Sequence, residues 1–372
     1  GCGKKEEEKK EAAAPAVITE KKYEWKMVTT WPPKLPVLQD GCERLAKRME
    51  EVSEGRLKIQ VFAAGELVPP LESFQAVSDG TVEVGSGASY YWAGKEPATQ
   101  WFSAVPFGMN AQGMAAWFHG GGGLKLWEEC YAPFNLVPRP GGSTGVQMGG
   151  WFNKKINTID DYKGLKMRIP GLGGEVIKRA GGTPVTLPGA EIFTALQTGA
   201  IDATEWVGPW NDYFMKFYEA AKYYYYPGFH EPGGNLSFGM NKSFWEGLSD
   251  LEKAIITAAC NEEHGLQMDE TNANNGTYLN KLMTEHGVEL KGFTEDTYDA
   301  FGKASAEVFE EVKAHSQFDI LFTHSGSDKH QDHRMVSGDC VVGSAKNQQL
   351  SDLHVTLDEV DLQVVLSHER IY

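Results

Sequence analysis

The stretch LESFQAVSDGTVEVG (71–85) lines up without gaps on AEIFTALQTGAIDAT (190–204). Glu72 matches Glu191, Phe74 matches Phe193, Ala76 matches Ala195 and Gly80 matches Gly199, while Val77 answers Leu196 and Val82 answers Ile201. These few identities are a weak statistical signal, but the physical pattern is stronger. In both copies a helix-like run stops at a glycine, which can end a helix in the left-handed conformation, and a strand-like run follows. Two α/β units of like construction predict a bilobal α/β protein with a cleft between its lobes.

The rest of the chain fits that plan. YEWKMVTTW (23–31) and RLKIQVF (56–62) alternate like strands. DGCERLAKRMEEVSEG (40–55) reads as a helix opened by an Asp40/Glu43 capping box, and PPLESFQAVSDG (69–80) as a short helix begun by prolines. A long helix over 249–287 opens at a Ser249/Glu252 capping box, stops at Gly287 and carries a possible break at Asn275-Gly276. VELKGF then reads as a strand and 294–316 as a helix; LHVTLDEVDLQVVL (353–366) alternates like a strand. The organisation expected is a tether at 1–22, lobe I over 23–145 and 232–265, and lobe II over 146–231 and 266–316. An atypical tail of unassigned role follows at 317–372.

The net charge of −16 argues against nucleic-acid binding, which needs a basic face. A negative ligand must then be gathered by local positive charge. No stretch approaches the roughly 20 apolar residues that span a bilayer. The cysteines at 2, 42, 130, 260 and 340 form no CxxC or Cys/His zinc pattern and suggest no disulfide. GCGKKEEEKKEAAAPA, with its Gly-Cys start and solvated run, looks like the remnant of a bacterial lipoprotein signal, with lipid expected on Cys2.

No GxSxG, Walker loop or HExxH occurs, and Gly121–Gly123 lacks the following Lys-Ser/Thr of a phosphate cradle. GLGG (171–174) before a helix is a weak anion signal. His315, His324, His330 and His333 read as a solvated His-rich loop rather than a metal site. Polar groups at strand ends are more telling. Gln147 sits in an apolar, Gly-flanked strand, Arg168 ends a strand before Pro170-Gly171, Glu205 ends the second repeat, and Glu231 lies in a Pro/Gly-bracketed loop. In α/β sheets such positions converge on one crevice. An Arg fork fits a carboxylate bidentately, and two carboxylates with an amide oxygen are hard ligands for Na⁺ or Ca²⁺. Each residue also has a plain reading: Arg168 pairing with Asp160 or Asp161, Glu205 capping a turn, Glu231 in solvent, Gln147 serving the backbone and Trp206 in the core.

AAGELVPPLESFQAVSDGTVEVG, WFNKKINTIDDYKGLKMRIPGLGGEVIKRAGGTPVTLPGAEIFTALQTGAIDATEW and PGFHEPGGN resemble the substrate-binding proteins of TRAP transporters, tripartite ATP-independent periplasmic systems. The likeness is to the branch that binds 2-oxo and 2-hydroxy monocarboxylates, and it runs from about Tyr23 to His315. It implies a periplasmic-binding-protein-like fold with two α/β lobes, a hinge and a long spanning helix. Arg168 would then grip the ligand carboxylate. Gln147, Glu205, Trp206 through its main-chain oxygen, and Glu231 would hold a Na⁺ or Ca²⁺ ion that also binds the ligand. Tyr91 and Phe107 would face the ligand from the first lobe. The partners implied are the membrane permease subunits and a possible second copy of the chain, and the location is extracytoplasmic. The alternative, a metal-dependent enzyme acting on a 2-oxo acid, needs a general base, for which His230 is the only candidate.

Overall fold

A computed structural model of the chain describes residues 21–315 and three short strands further on. Residues 1–20, most of the tether expected at 1–22, and most of 316–372, including His324, His330 and His333, lie outside the described residues, as do Cys2 and Cys340.

Two sheets carry the fold. The strands in chain order are β1 (Tyr23–Thr29), β2 (Leu57–Phe62), β3 (Val84–Gly87), β4 (Leu136–Gly145), β5 (Gly150–Phe152), β6 (Lys166–Arg168), β7 (Thr183–Val185), β8 (Ala203–Thr204), β9 (Tyr223–Tyr226), β10 (Gly234–Asn241) and β11 (Glu289–Gly292). One sheet has the order β2-β1-β3-β10-β4 and the other β11-β9-β5-β8-β6-β7. Alternation places each strand: Trp25 and Met27 of β1 and Leu57 and Ile59 of β2 are buried, while Glu24, Lys26, Lys58 and Gln60 are exposed.

The chain passes between the sheets at 146–149, joining β4 to β5, and at 227–233, joining β9 to β10. These two crossovers run side by side, with Gln147 N–H donating to Glu231 O at 3.0 Å and Gly228 N–H to Gln147 O at 3.0 Å. A third link is the helix Asp250–Glu285, which packs on β4, on the helix Leu38–Val52 and on the helix Pro209–Met215 before feeding β11. The molecule is therefore bilobal α/β, with a long helix touching both halves.

Three local expectations change. The helix Asp250–Glu285 opens on the Ser249/Glu252 capping box as expected, yet it runs unbroken through Asn275-Gly276. Asn275 instead accepts the Trp210 N–H at 3.1 Å, so the polar residue that suggested a break serves the neighbouring helix. The Asp40/Glu43 box does not form: the first helix starts at Leu38 after Val37, without a side-chain cap. Gln147 lies in the first crossover rather than within a strand. Beyond 315, Ile320–Phe322, Val341–Gly343 and Val364–Leu366 pair as a small sheet. Of the strand expected at 353–366 only its last three residues are described.

Candidate functional site

Local folding delivers each polar group to one place. Arg168 ends β6, and β6 runs parallel to β8, with Arg168 opposite Thr204. Glu205 is the next residue after β8 and its N–H donates to Arg168 O at 3.1 Å. Gln147 and Glu231 stand on the two paired crossovers. All four are buried: Arg168 is 1% exposed, Glu205 0%, Gln147 4% and Glu231 4%.

The guanidinium of Arg168 contacts Glu205 Oε1 directly through Nη1, donates through Nη2 to Tyr91 Oη at 3.1 Å, and through Nε to Leu187 O at 3.2 Å. Its carbon lies 5.2 Å from the centre of the Trp206 ring and 5.9 Å from that of Tyr91. Burial opposes its charge, but Tyr91 and Glu205 outweigh that and raise its pKa. Asp160 pairs with Lys163 and Asp161 caps the turn at Asn157 and Thr158, so neither holds Arg168.

Around the carboxylates, Gln147 Nε2 donates to Glu231 Oε2 at 2.7 Å and to Thr144 Oγ1 at 3.1 Å, leaving Gln147 Oε1 buried without a partner. His230 Nε2 lies 3.3 Å from Glu205 Oε2. Burial first, then the charge of Glu205, pushes the Glu231 carboxyl well above the usual carboxylate range. A Cβ on Gly234 would press on Thr144 and come within 2.9 Å of Glu231 Oε2, so glycine is what lets the backbone approach the cluster.

The donor chemistry fits a hard cation. Glu205, His230 and Glu231 each offer a ligand atom, all within 4.8 Å of one another, and the orphaned Gln147 oxygen adds another donor. A cavity of about 10 Å³ adjoins the cluster, lined by Trp31, Leu38, Tyr90 and Tyr91 from one half and Gln147 and Trp206 from the other. That is room for about one water, so the halves must part to admit anything larger.

Arg168, Gln147, Glu205, Trp206, Glu231 and Tyr91 thus meet. Phe107 stands differently: its ring packs on Phe229 at 5.8 Å and Tyr298 at 5.0 Å, and Phe229 in turn meets the His230 ring at 5.5 Å. Sequence reasoning missed Tyr90, which lines the cavity beside Tyr91, and Asp212, whose oxygens take Val207 N–H at 3.1 Å, Trp151 Nε1 at 2.8 Å and Tyr224 Oη at 2.7 Å. The Asn211-Asp212 pair just after Gly208-Pro209 was its one visible signal, since polar residues there otherwise cap a helix.

The family model for bacterial extracellular solute-binding protein, family 7, matches residues 27–315. The chain belongs to this family. A monocarboxylate 2-oxoacid-binding periplasmic protein of Nostoc sp. is 46% identical over 287 residues, covering 77% of this chain and 78% of the relative. A TRAP periplasmic solute-binding protein of Pseudoalteromonas atlantica with bound sodium and pyruvate superposes with a TM-score of 0.77 at 41% identity, covering 80% of this chain and 90% of that one. A TRAP solute-binding protein of Bordetella bronchiseptica with calcium and picolinate has a TM-score of 0.78 at 37% identity, over 79% and 87%. This family 7 protein is accordingly an extracytoplasmic binding protein of the TRAP type and not an enzyme, which sets aside His230 as a general base. Among the described residues no helix is long and apolar enough to cross a membrane.

Proposed function

We propose that this receptor binds a small 2-oxo or 2-hydroxy monocarboxylate, pyruvate and lactate being the simplest, and presents it to the membrane permease of a TRAP transporter. In this reading Arg168 anchors the ligand carboxylate. Gln147 Oε1, Glu205, Glu231 and the Trp206 carbonyl hold a Na⁺ or Ca²⁺ ion. When bound, that cation supplies the positive charge two buried carboxylates and an anionic ligand need to share one small space. The observation that carries the reading is the convergence of four sequence-distant polar groups, with the amide oxygen of Gln147 buried and unpaired.

The chain's own residues suggest how binding proceeds. Glu205 occupies the Arg168 fork where a ligand carboxylate would dock, so the incoming carboxylate takes over the guanidinium and frees Glu205 toward the cation. Burial and the charge of Glu205 hold the Glu231 carboxyl above its ordinary range, so a cation that favours the carboxylate is expected to bind more tightly as pH rises. Tyr91, Trp31 and Trp206 exclude water from the closed site. Lobe I is taken as 23–145 and 232–265, lobe II as 146–231 and 266–316. A lipid on Cys2 would tether the receptor to the membrane, and a second copy of the chain remains part of the proposal.

Calorimetry with pyruvate and with lactate, in calcium or sodium and after EDTA, tests this. Tight binding that depends on the cation is expected. Failure of both acids to bind under every ionic condition, with the protein folded, overturns it. A thermal-shift series of longer and branched 2-oxo acids then ranks the ligand.

A further inference from the structure

Besides the Gln147–Thr144 bond at the crossover, two hydrogen bonds among the described residues span the lobes beside the cavity. One is the Arg168–Tyr91 contact of the site itself. The other runs through Asn211, a fully buried residue in the first turn of the helix Pro209–Met215. Asn211 Oδ1 accepts the indole N–H of Trp206, and Asn211 Nδ2 donates to Pro36 O at 2.6 Å. Pro36 belongs to the segment between β1 and the helix Leu38–Val52, and Trp31 and Leu38 at the ends of that segment line the cavity opposite Trp206. A single amide therefore ties the wall of one lobe to the mouth of the other.

The surroundings leave the indole little freedom. A Cβ on Gly189 would strike its six-membered ring, and Arg168 stands over its face. The neighbouring Asp212 acts within one lobe, since every bond to its carboxylate comes from β5, β9 or the loop after Glu205, all on one side of the cleft. Asn211 alone of the pair reaches across. An amide suits that position because it offers an acceptor for the indole and, on a separate atom, a donor for a carbonyl.

We propose that Asn211 is a positioning residue that latches the closed state: by bonding Trp206 and Pro36 at once, it makes the placement of the ligand-wall indole and the closure of the lobes one event. The inference rests on the receptor reading above. An open form must break the Pro36 bond, so removing it costs the closed state a buried hydrogen bond and leaves the encounter step untouched. The effect falls on ligand release.

The test uses the full chain with pyruvate and calcium, followed by stopped-flow tryptophan fluorescence. Asn211→Leu removes both bonds. Asn211→Asp, read at a pH high enough to ionise the carboxyl, keeps an acceptor for the indole but loses the donor to Pro36. Both are expected to release pyruvate roughly tenfold faster, with association rates within about twofold of the parent. A merely structural role would instead lower the melting temperature and leave the release rate alone. A second arm needs no ligand: small-angle scattering of the free proteins is expected to give a larger radius of gyration for both variants than for the parent. If Asn211→Leu does not fold, Asn211→Asp carries both arms. Parental release rates and superimposable scattering curves overturn the latch. If the parent itself binds no pyruvate, the receptor reading for this ligand fails, and the scattering arm alone decides the latch.

Discussion

The two halves of the molecule contain the same small machine, and only one ends its strands in buried charge. β1 lies parallel to β2 and β3, and β3 is antiparallel to β10; β6 lies parallel to β7 and β8, and β8 is antiparallel to β5. The likeness extends to single bonds. Gly80 and Gly199 both end their helices at φ 74°, Val82 N–H and Ile201 N–H return to Ala76 O and Ala195 O, and Glu83 and Asp202 each accept a lysine N–H at 2.9 Å, from Lys26 and Lys166. By this register Lys26-Met27-Val28 answers Lys166-Met167-Arg168. Val28 stands where the second half has Arg168, Ser86 where it has Glu205, and Gly87 where it has Trp206. One scaffold thus ends in a buried charged pair in one lobe and in neutral residues in the other, so the scaffold sets the position while the side chains set the chemistry.

The largest expected effect comes from making the charged half resemble the neutral one. Arg168→Met is expected to cost about 2–5 kcal/mol in pyruvate affinity and about 3–5 kcal/mol in stability, because Glu205 is left buried and unpaired. Calorimetry and urea unfolding measure the two. Val28→Ala, at the matching position, is expected to cost about 2 kcal/mol of stability with affinity unchanged. Tight binding by Arg168→Met means that the anchor lies elsewhere. Next comes Glu205→Gln, which keeps the shape but removes a charge; calcium and pyruvate affinities are expected to fall together, each by at least about tenfold. A change in only one of them separates cation from ligand.

Individual buried groups differ in the sign of their pH response. Asp212 is raised from 3.8 to about 7, mainly by burial, and Glu231 is raised well above 4.5. A carboxyl raised on folding binds more protons folded than unfolded, so its stabilising contribution is complete below its unfolded value and is lost as pH rises through the folded one. His264, on the long helix, is lowered from 6.5 to about 4 by burial, with His119 adding to it. Its contribution is present above 6.5 and is lost as pH falls toward 4. Without added cation, Asp212→Asn is therefore expected to flatten the loss of stability on going from pH 5 to about 7, and His264→Leu to flatten the loss on going from about 6 to 4, at up to about 1.4 kcal/mol per pH unit each. Urea midpoints across that range check it; slopes unchanged in both variants remove these groups as the cause. The smallest effect is reserved for Ser86, which accepts Trp31 Nε1 at 3.3 Å. Ser86→Ala is expected to cost about 1 kcal/mol of stability and no affinity. A clear loss of pyruvate affinity there shows that Ser86 sets the placement of Trp31 against the ligand.

Much of the site was legible because strand ends in α/β units face a common crevice, and Arg168, Glu205 and Glu231 each sit beside a turn residue that marks such an end. Tyr91 followed from the resemblance. The direct Arg168–Glu205 contact was not legible, since both groups were expected to meet through a ligand, and nothing in their spacing tells contact from near approach. Phe107 came from the resemblance too, and nothing in the sequence signals its packing on Phe229 and Tyr298. Asn211 escaped because a polar residue in the first turn of a helix is usually spent on its own backbone.

Residue order alone determined the helix–glycine–strand unit, its repetition and the chemical kinds of donor available, since these depend on neighbours along the chain: spacing, turn residues and side-chain type. Tertiary structure decided which donors share a space. Gln147 and Glu231 are joined only because two crossovers between the sheets lie side by side and exchange backbone hydrogen bonds, and Asn211 reaches Pro36 only because the lobes close on each other. Such contacts depend on how separate segments pack, and local sequence carries no record of that distance.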